Sequence, residues 1–229
     1  MAFIPNAVEA ARAAMIANGK PLLADKFAVL IRFLERNPGS ASVGRGKNAP
    51  KIGSLEFITK AATNFATTRE PKRPEPPATI PDELVSFILH RYFDLPEASL
   101  KRAQHEHSLS MGAENMVGDL LERYLATILE PRGWVWCSGS SIKSVDFIKP
   151  PASNKGKWII LQVKNRDNSE NSSSSAIRKG TLIEKWHRTF SKKAGSNWAA
   201  FPDTSCRPLL SEEKFKEFVR AHLLALKKI

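Results

Sequence analysis

The chain has 229 residues, 42% of them hydrophobic, which suits one domain of ordinary size with a core of its own. Its net charge of +12 favours a polyanionic partner, most often nucleic acid, with an ordinary basic surface as the alternative. The two cysteines, Cys137 and Cys206, exclude a disulfide framework and lack metal-ligand spacing.

Nothing in the sequence predicts export or membrane insertion. The N-terminal stretch carries Glu9 and has no continuous apolar region, unlike a secretory signal. No stretch approaches the roughly 20 apolar residues that cross a bilayer. We therefore expect a soluble, cytoplasmic protein.

Helices are predicted over most of the first seventy residues. Apolar residues recur at helical spacing across residues 5–36, and Pro38 and Gly39 end that region. Residues 38–50 are typical of a flexible loop, or of a basic arm that touches phosphates through Arg45 and Lys47. A shorter helix is predicted over residues 54–67.

Five prolines in residues 70–81 predict an extended spacer. We place a soft boundary there, between a helical N-terminal part (residues 1–81) and the main domain (residues 82–229). Another short helix is predicted over residues 96–107, where His105 and His107 point in different directions and make poor metal co-ligands. Asp82 is predicted to cap a helix that buries Leu84, Val85, Ile88, Leu89 and Tyr92.

The most regular predicted helix covers residues 111–130. Glu114 and Glu122 lie on one flank of it, with Gly118 between them. Glu114 can complement the helix dipole, whereas Glu122 is either an ordinary solvated side chain or a functional carboxylate. The apolar face of this helix comprises Val117, Leu120, Leu121, Tyr124, Leu125 and Ile128.

Three β-type runs follow, at residues 134–137, 142–148 and 157–164. Alternation along the second run places Asp146 on a strand with apolar neighbours. The third run is continuously apolar, as expected of a central strand covered on both faces, and its Gln162 and Lys164 share one face. Beyond it, residues 165–176 are typical of a Ser-rich linker or of a DNA-contacting loop. Helices are predicted over residues 177–190 and from Ser211 onward.

One aspartate and one lysine at the ends of two strands are a common way to build a metal-dependent phosphodiesterase. Divalent ions held by carboxylates activate the water and neutralise the charge that develops on the phosphate. A lysine beside the metal orients the water and offsets negative charge. Mg²⁺ would find hard oxygen ligands in Asp146, a strand carbonyl near Val163, and Glu122.

The order of a Glu-bearing helix, an Asp strand and a strand ending in Lys resembles the PD-(D/E)XK nuclease superfamily. The matching stretches are GDLLERYLATILEPRGW, SVDF and QVK. The resemblance implies an α/β (α+β) fold with a mixed central sheet flanked by helices, here with a helical N-terminal part. It also implies that the catalytic residues are Asp146, Gln162, Lys164 and Glu122.

Two positions depart from the superfamily pattern. Val145 replaces a proline, which is harmless, and Gln162 replaces the second acidic residue. The missing carboxylate is supplied by Glu122, by Glu114, or by Glu170 from the following loop.

Residues 105–220 also resemble the SinI/AvaII-type restriction endonucleases, through HSLSMGAENMVGDLLERYL, LQVKNRDNSENSSSSAIRKGTLIEKWHRTF and the later pair Asn197-Trp198. This resemblance implies a Mg²⁺-dependent Type II endonuclease that cuts double-stranded DNA at GGWCC. It further implies a cognate cytosine methyltransferase as functional partner. A near-palindromic site implies a homodimer in which each subunit cuts one strand.

Candidate DNA contacts lie just downstream of the catalytic strand, within reach of a duplex whose phosphate is at Asp146. Arginine recognises guanine, and asparagine or glutamine recognises adenine. We expect Arg166 and Arg178 to contact guanine, with phosphate contacts as the alternative. The full candidate set is Asn165, Arg166, Asn168, Glu170, Asn171, Ser172, Arg178 and Lys179.

Two other functions fit the same features. A structure-specific nuclease of the junction-resolvase type has a similar helix pattern over residues 118–134. A non-catalytic basic DNA-binding protein on a degenerate nuclease fold would explain why Gln162 leaves the site short of a carboxylate.

Overall fold

The computed structural model of the protein describes residues 2–42, 49–153, 156–167 and 182–228. The α-helices in these ranges are α1 Ala7–Ala17, α2 Ala24–Arg36, α3 Leu55–Thr68, α4 Glu83–Arg91, α5 Glu97–Leu129 and α6 Glu212–Leu226. The strands are β1 Val135–Trp136, β2 Phe147–Lys149, β3 Ile159–Arg166 and β4 Ile183–Thr189.

The strands form one mixed sheet in the order β1-β2-β3-β4. The β1–β2 and β2–β3 pairs are antiparallel, and β3–β4 is parallel. Leu161, Gln162 and Val163 are buried in the middle of β3, as expected of a central strand. The predicted mixed α/β class is therefore confirmed.

The first three helices confirm the prediction for the N-terminal region. α2 turns a buried face of Phe27, Leu30, Ile31 and Leu34 inward at the predicted spacing. The Ser54 hydroxyl caps α3 by accepting a hydrogen bond from the Phe57 N–H. Residues 70–81 contain neither helix nor strand, as their prolines predict.

The chain divides into two compact units: residues up to 71 together with residues from 121 onward, and residues 72–120. In the first unit, α1–α3 and the sheet share one hydrophobic core, which includes Phe27, Phe65, Val135 and Ile148. This grouping differs from the predicted division after residue 81. The reason is that the apolar faces of the N-terminal helices are covered by the sheet.

Two predicted helices, at residues 96–107 and 111–130, are in fact the single 33-residue helix α5. The predicted break was wrong because residues 108–110 contain no proline or glycine to interrupt the helix. Gly112 lies within α5 against the main chain of the proline-rich segment. A Cβ on Gly112 would come within 2.8 Å of the Glu75 carbonyl oxygen, so a larger side chain would not fit there.

The prediction for α4 was right about its start and wrong about its burial. Asp82 caps the helix, since its Oδ1 accepts a hydrogen bond from the Leu84 N–H. However, Leu84, Val85, Ile88 and Tyr92 are all exposed, and Leu89 is only partly buried. An apolar helix face requires a covering element, and residues 72–120 provide none for this one.

One strand prediction and one helix prediction also need correction. Residues 142–148 do not form one strand, because Lys143 and Ser144 form a turn in which Ser144 has a φ of 56°. The helix predicted over residues 177–190 is wrong for its described part, which is strand β4. Hydrogen bonding to β3 decides this segment, because main-chain pairing and burial override a weak helical spacing.

The C-terminal helix α6 begins as predicted. The Ser211 hydroxyl accepts a hydrogen bond from the Lys214 N–H, and Phe215 is buried on the inner face. Both cysteines, Cys137 and Cys206, are buried and free. None of the described helices is long and apolar enough to span a membrane.

Candidate active site

Asp146 lies directly before β2 and is held by three hydrogen bonds. Its main-chain N–H donates to the Leu161 carbonyl, and its own carbonyl accepts from the Cys137 N–H, at 2.9 and 2.8 Å. Its Oδ2 accepts a hydrogen bond of 2.6 Å from the N–H of Val163. The main chain of β3, and of Cys137 directly after β1, therefore fixes both the position and the direction of this carboxylate.

Opposing effects set the pKa of this carboxylate. Burial raises the pKa of Asp146 to about 6, although the Val163 hydrogen bond and the positive charge of Lys164 lower it. The influence of Lys164 on this pKa means that its ammonium group lies within electrostatic range of the carboxylate. The structure thus brings together the aspartate and the lysine that the sequence predicts to act together.

A row of polar side chains continues from Asp146 across the sheet. Gln162 and Lys164 share a face of β3 because side chains alternate along a strand. In the parallel register, Gln162 is paired with Lys185, and Lys164 is paired with His187. Gln162 is 2% exposed, whereas the other three β-strand side chains are partly exposed. The polar side chains of this sheet face therefore extend from β3 onto β4.

His187 and Lys185 were missed in the sequence because residues 177–190 were assigned to a helix. The signal was present as an alternation, with buried Trp186 between the two polar side chains. The His187 Nε2 is buried and has no hydrogen-bond partner among the residues that the structure describes. Its ring packs edge-on against Phe190, with the centroids 5.1 Å apart.

Glu122, the candidate for the second carboxylate, lies on α5 beside β1. Its Oε2 accepts a hydrogen bond of 2.8 Å from the Trp136 Nε1–H, so it is not an ordinary solvated side chain. Burial raises the pKa of the Cys137 thiol, and the negative charges of Asp146 and Glu122 raise it further. Both carboxylates therefore lie near the same buried thiol.

The other candidates for the second carboxylate are placed differently. Glu114 is exposed on the part of α5 that belongs to residues 72–120. Glu170 lies outside the described residues. Within the described ranges, no group of three or more His, Cys, Asp and Glu side chains is placed to hold a metal ion.

Two of the candidate DNA contacts can be located, at the end of β3. The Asn165 side chain is engaged in the fold, because its Oδ1 accepts a hydrogen bond of 2.9 Å from Arg188 Nε. Arg166 is exposed. The remaining candidates, as well as Arg45 and Lys47, lie outside the described ranges: Asn168, Glu170, Asn171, Ser172, Arg178 and Lys179.

Comparison with known proteins identifies the class of enzyme. Residues 7–225 match the SinI restriction endonuclease family, so the similarity reaches well beyond residues 105–220 and includes the N-terminal helices. The chain is 52% identical to the Type II restriction enzyme SinI of Salmonella infantis over 226 residues, 98% of this chain and 97% of that one. It is 49% identical to the Type II restriction enzyme Eco47I of Escherichia coli over 225 residues, with the same coverage.

These matches favour a sequence-specific endonuclease over the junction-resolvase type and the non-catalytic alternative. The chain belongs to the SinI restriction endonuclease family, which confirms the predicted class of Type II restriction endonuclease.

Proposed function

We propose that the protein hydrolyses phosphodiester bonds of double-stranded DNA at GGWCC in a Mg²⁺-dependent reaction, on a sheet of the PD-(D/E)XK type. The observation that carries the proposal is the Asp146 carboxylate, fixed on the Val163 N–H and acted on by the charge of Lys164. The order α5-β1-β2-β3-β4, with only β4 parallel to its neighbour, supports the superfamily assignment. GGWCC follows from the resemblance to SinI/AvaII-type enzymes.

The donor set suits a hard divalent cation. Asp146 supplies a partly buried carboxylate, the main chain at Val163 a carbonyl oxygen, and Glu122 a second carboxylate near the same thiol. Bound Mg²⁺ supplies Lewis-acid stabilisation of the phosphate and lowers the pKa of a coordinated water. Because burial disfavours the charged form of Asp146, a cation at this position would gain from a carboxylate that has little competing solvation.

Lys164 has two roles in the proposed reaction. Its ammonium group orients the attacking water by hydrogen bonding, and its charge offsets the negative charge that develops on the phosphate oxygens. The buried Gln162 stands where related nucleases have an acid, and its amide oxygen can accept a hydrogen bond or act as a neutral ligand. A neutral residue there leaves Lys164 with fewer carboxylates to neutralise its charge.

The proposed DNA contacts follow β3 beyond Lys164. Arg166 is exposed at the end of that strand and can approach a duplex whose scissile phosphate lies at Asp146. Asn165, Asn168, Glu170, Asn171, Ser172, Arg178 and Lys179 complete the proposed contact set. The enzyme would act as a homodimer in the cytoplasm, where a cognate cytosine methyltransferase modifies the same sequence.

Plasmid cleavage tests the proposal. Purified protein with Mg²⁺ should give discrete fragments that map to GGWCC, and EDTA should abolish them. Asp146→Ala and Lys164→Ala should each reduce cleavage by roughly 10²–10³-fold or more. Both variants should still bind a labelled GGWCC duplex in EDTA, because neither side chain recognises a base.

Asp25→Ala is the matched control, since Asp25 is an exposed aspartate of α2 paired with Arg12. It should cleave like the wild type. Activity within twofold of wild type in either site variant would refute the assignment. Cleavage of branched DNA alone would favour the junction-resolvase alternative, and binding without any cleavage would favour the non-catalytic one.

A further inference from the structure

An uncovered apolar surface lies on α4 and the two residues that follow it. We call it the α4 face and define it by Leu84, Phe87, Ile88, Tyr92 and Phe93. These side chains are between 51% and 78% exposed. At 100° per residue, the four that precede Phe93 span one contiguous side of the helix. By contrast, most other large apolar side chains in the described residues are buried or partly buried.

The size of the α4 face is that of a protein interface. A fully exposed large side chain presents about 200 Å², so the exposed fractions leave roughly 640 Å² of largely apolar surface. The largest apolar patch on a typical monomer is about 300–600 Å². A stable interface of standard size buries about 800 Å² on each partner.

The charge of the surrounding unit argues against nucleic acid as the occupant. Residues 72–120 carry eight acidic and five basic residues, although the whole chain has 23 and 35. The remaining residues therefore carry 15 acidic against 30 basic residues, and the basic excess lies entirely outside this unit. A phosphate backbone, or an anionic membrane surface, would be attracted to those residues and not to the α4 face.

The charges on α4 suit a second copy of the same helix. Glu83, Phe87 and Arg91 follow one another at intervals of four residues, so they form a row along the α4 face. Glu83 and Arg91 are exposed, and the Arg91 guanidinium lies 5.9 Å from the centre of the Phe87 ring. If two copies of α4 pair antiparallel about Phe87, Glu83 of each copy lies opposite Arg91 of the other. The two-fold symmetry thus gives two such pairs of opposite charge.

We propose that the α4 face is the dimer interface, packed against the α4 face of a second copy around a two-fold axis near Phe87. The inference rests on the proposed function, in which two active sites cut the two strands of a near-palindromic sequence. An isologous contact is self-complementary, and both the apolar row and the Glu83–Arg91 arrangement meet that condition. The dimer places one active site on each chain without requiring any residue of the site at the interface.

The molar mass of the full chain, measured by light scattering without DNA or metal, tests the interface. The wild type should have twice the chain mass of 25.4 kDa at micromolar concentration. The double variant Phe87→Glu/Ile88→Glu should have the mass of one chain, with an unchanged circular dichroism spectrum. Leu22→Glu is the control, because Leu22 is 93% exposed on a turn outside this unit, and it should remain a dimer.

A charge swap tests the antiparallel pairing. Glu83→Arg alone should weaken the dimer about tenfold, and adding Arg91→Glu should restore it, since the double variant recreates the pair with reversed signs. Phe87→Cys should form a disulfide-linked dimer under mild oxidation, because the natural cysteines are buried. A wild type that is monomeric at tens of micromolar, or a dimer that Phe87→Glu/Ile88→Glu leaves intact, would overturn the proposal.

The two proposals fail separately. A dimer that is dissociated by the α4 substitutions but never cuts DNA supports the interface and counts against the proposed function. A wild-type monomer that cuts GGWCC in the plasmid assay overturns the interface and the proposed homodimer, and leaves the proposed cleavage reaction standing.

Discussion

The Nε1–H of Trp136 donates a hydrogen bond of 2.8 Å to the Oε2 of Glu122. This contact joins α5 to β1 and holds the carboxylate in a partly buried place beside the strand that precedes Asp146. The hydrogen bond from the indole restricts the orientation of this carboxylate, whereas a solvated glutamate has no such restriction. The contact therefore gives Glu122 a fixed orientation on which its proposed metal-binding role can be tested.

Glu122→Gln should reduce Mg²⁺-dependent cleavage by at least about tenfold, because it removes a charged metal ligand. The amide oxygen can still accept the hydrogen bond from Trp136, so the free energy of unfolding should change by less than about 1 kcal/mol. Plasmid cleavage and urea denaturation measure the two effects. Trp136→Phe, which keeps the carboxylate, is the comparison. A larger cleavage defect in Glu170→Gln would move the second carboxylate to the loop.

The pKa of Asp146 predicts how stability depends on pH in the absence of metal. Its pKa is raised from about 3.9 in the unfolded chain to about 6 in the folded protein. The folded state thus binds the proton more tightly, and this group lowers stability as pH rises from about 4 to 6. Below pH 4 both states are protonated, and this destabilising contribution is absent.

Asp146→Asn should remove this dependence while keeping an oxygen that can accept from Val163. In EDTA, the free energy of unfolding of the variant, relative to that of the wild type, should be about 2 kcal/mol higher at pH 7.5 than at pH 4. Urea denaturation at the two pH values measures the difference. An equal effect of the substitution at both pH values would mean that Asp146 is not destabilised by burial of its charge.

Metal binding should offset the loss of stability that the buried charge of Asp146 causes. At pH 7.5, 10 mM Mg²⁺ should stabilise the wild type by about 1.4 kcal/mol if its dissociation constant is about 1 mM. Asp146→Asn should show little of this stabilisation, because the substitution removes the charged ligand. Thermal melting with Mg²⁺ and with EDTA measures both. Equal stabilisation of the two proteins would place the metal elsewhere.

A buried ion pair attaches the N-terminal helices to the rest of the first unit. Arg69 Nη2 donates a hydrogen bond of 2.7 Å to Glu130 Oε1, and both side chains are largely buried. The same guanidinium donates to the Trp136 carbonyl at 2.8 Å. Although burial raises the pKa of Glu130, the hydrogen bonds and charges of Arg69 and Lys26 lower it below its ordinary value.

Glu130→Gln should therefore destabilise the protein by about 3 kcal/mol at pH 7, because it leaves Arg69 buried without its counter-charge. The difference should shrink as pH falls below about 4.5, where the wild-type carboxylate protonates on unfolding. Glu70→Gln is the control: Glu70 pairs with Lys20 at the surface, and its loss should cost less than about 1 kcal/mol. Urea denaturation at pH 7 and pH 4 measures the free energy of unfolding of both variants. Equal losses of stability in Glu130→Gln and Glu70→Gln would contradict the expectation.

Arg166 distinguishes base recognition from phosphate binding. Arg166→Ala should weaken binding to a GGWCC duplex by about 1–3 kcal/mol if the guanidinium contacts guanine. Binding to random DNA should then change little. Titrations with the two duplexes at one salt concentration measure the effect, and an equal loss on both would assign Arg166 to a phosphate.

The sequence by itself determined the features that depend on nearby residues. The helices α1–α3 follow from apolar spacing, and the caps at Ser54, Asp82 and Ser211 follow from local side-chain hydrogen bonds. The proximity of Lys164 to Asp146, which lowers the pKa of that carboxylate, was predictable because each residue ends an apolar run. The enzyme class was predictable because the motif order and the stretches around it resemble a known family.

Only the tertiary structure decided the features that depend on distant partners. Residues 183–189 are a strand because β3 supplies the hydrogen bonds, and that register places His187 beside Lys164. The raised pKa of Asp146 needs the surrounding elements that bury it. The apolar residues of α4 satisfy the helical pattern but remain exposed, since periodicity shows which side chains need a partner and cannot supply one. Burial is a property of the assembled elements, so the sequence gives the face of a helix and the fold decides what covers it.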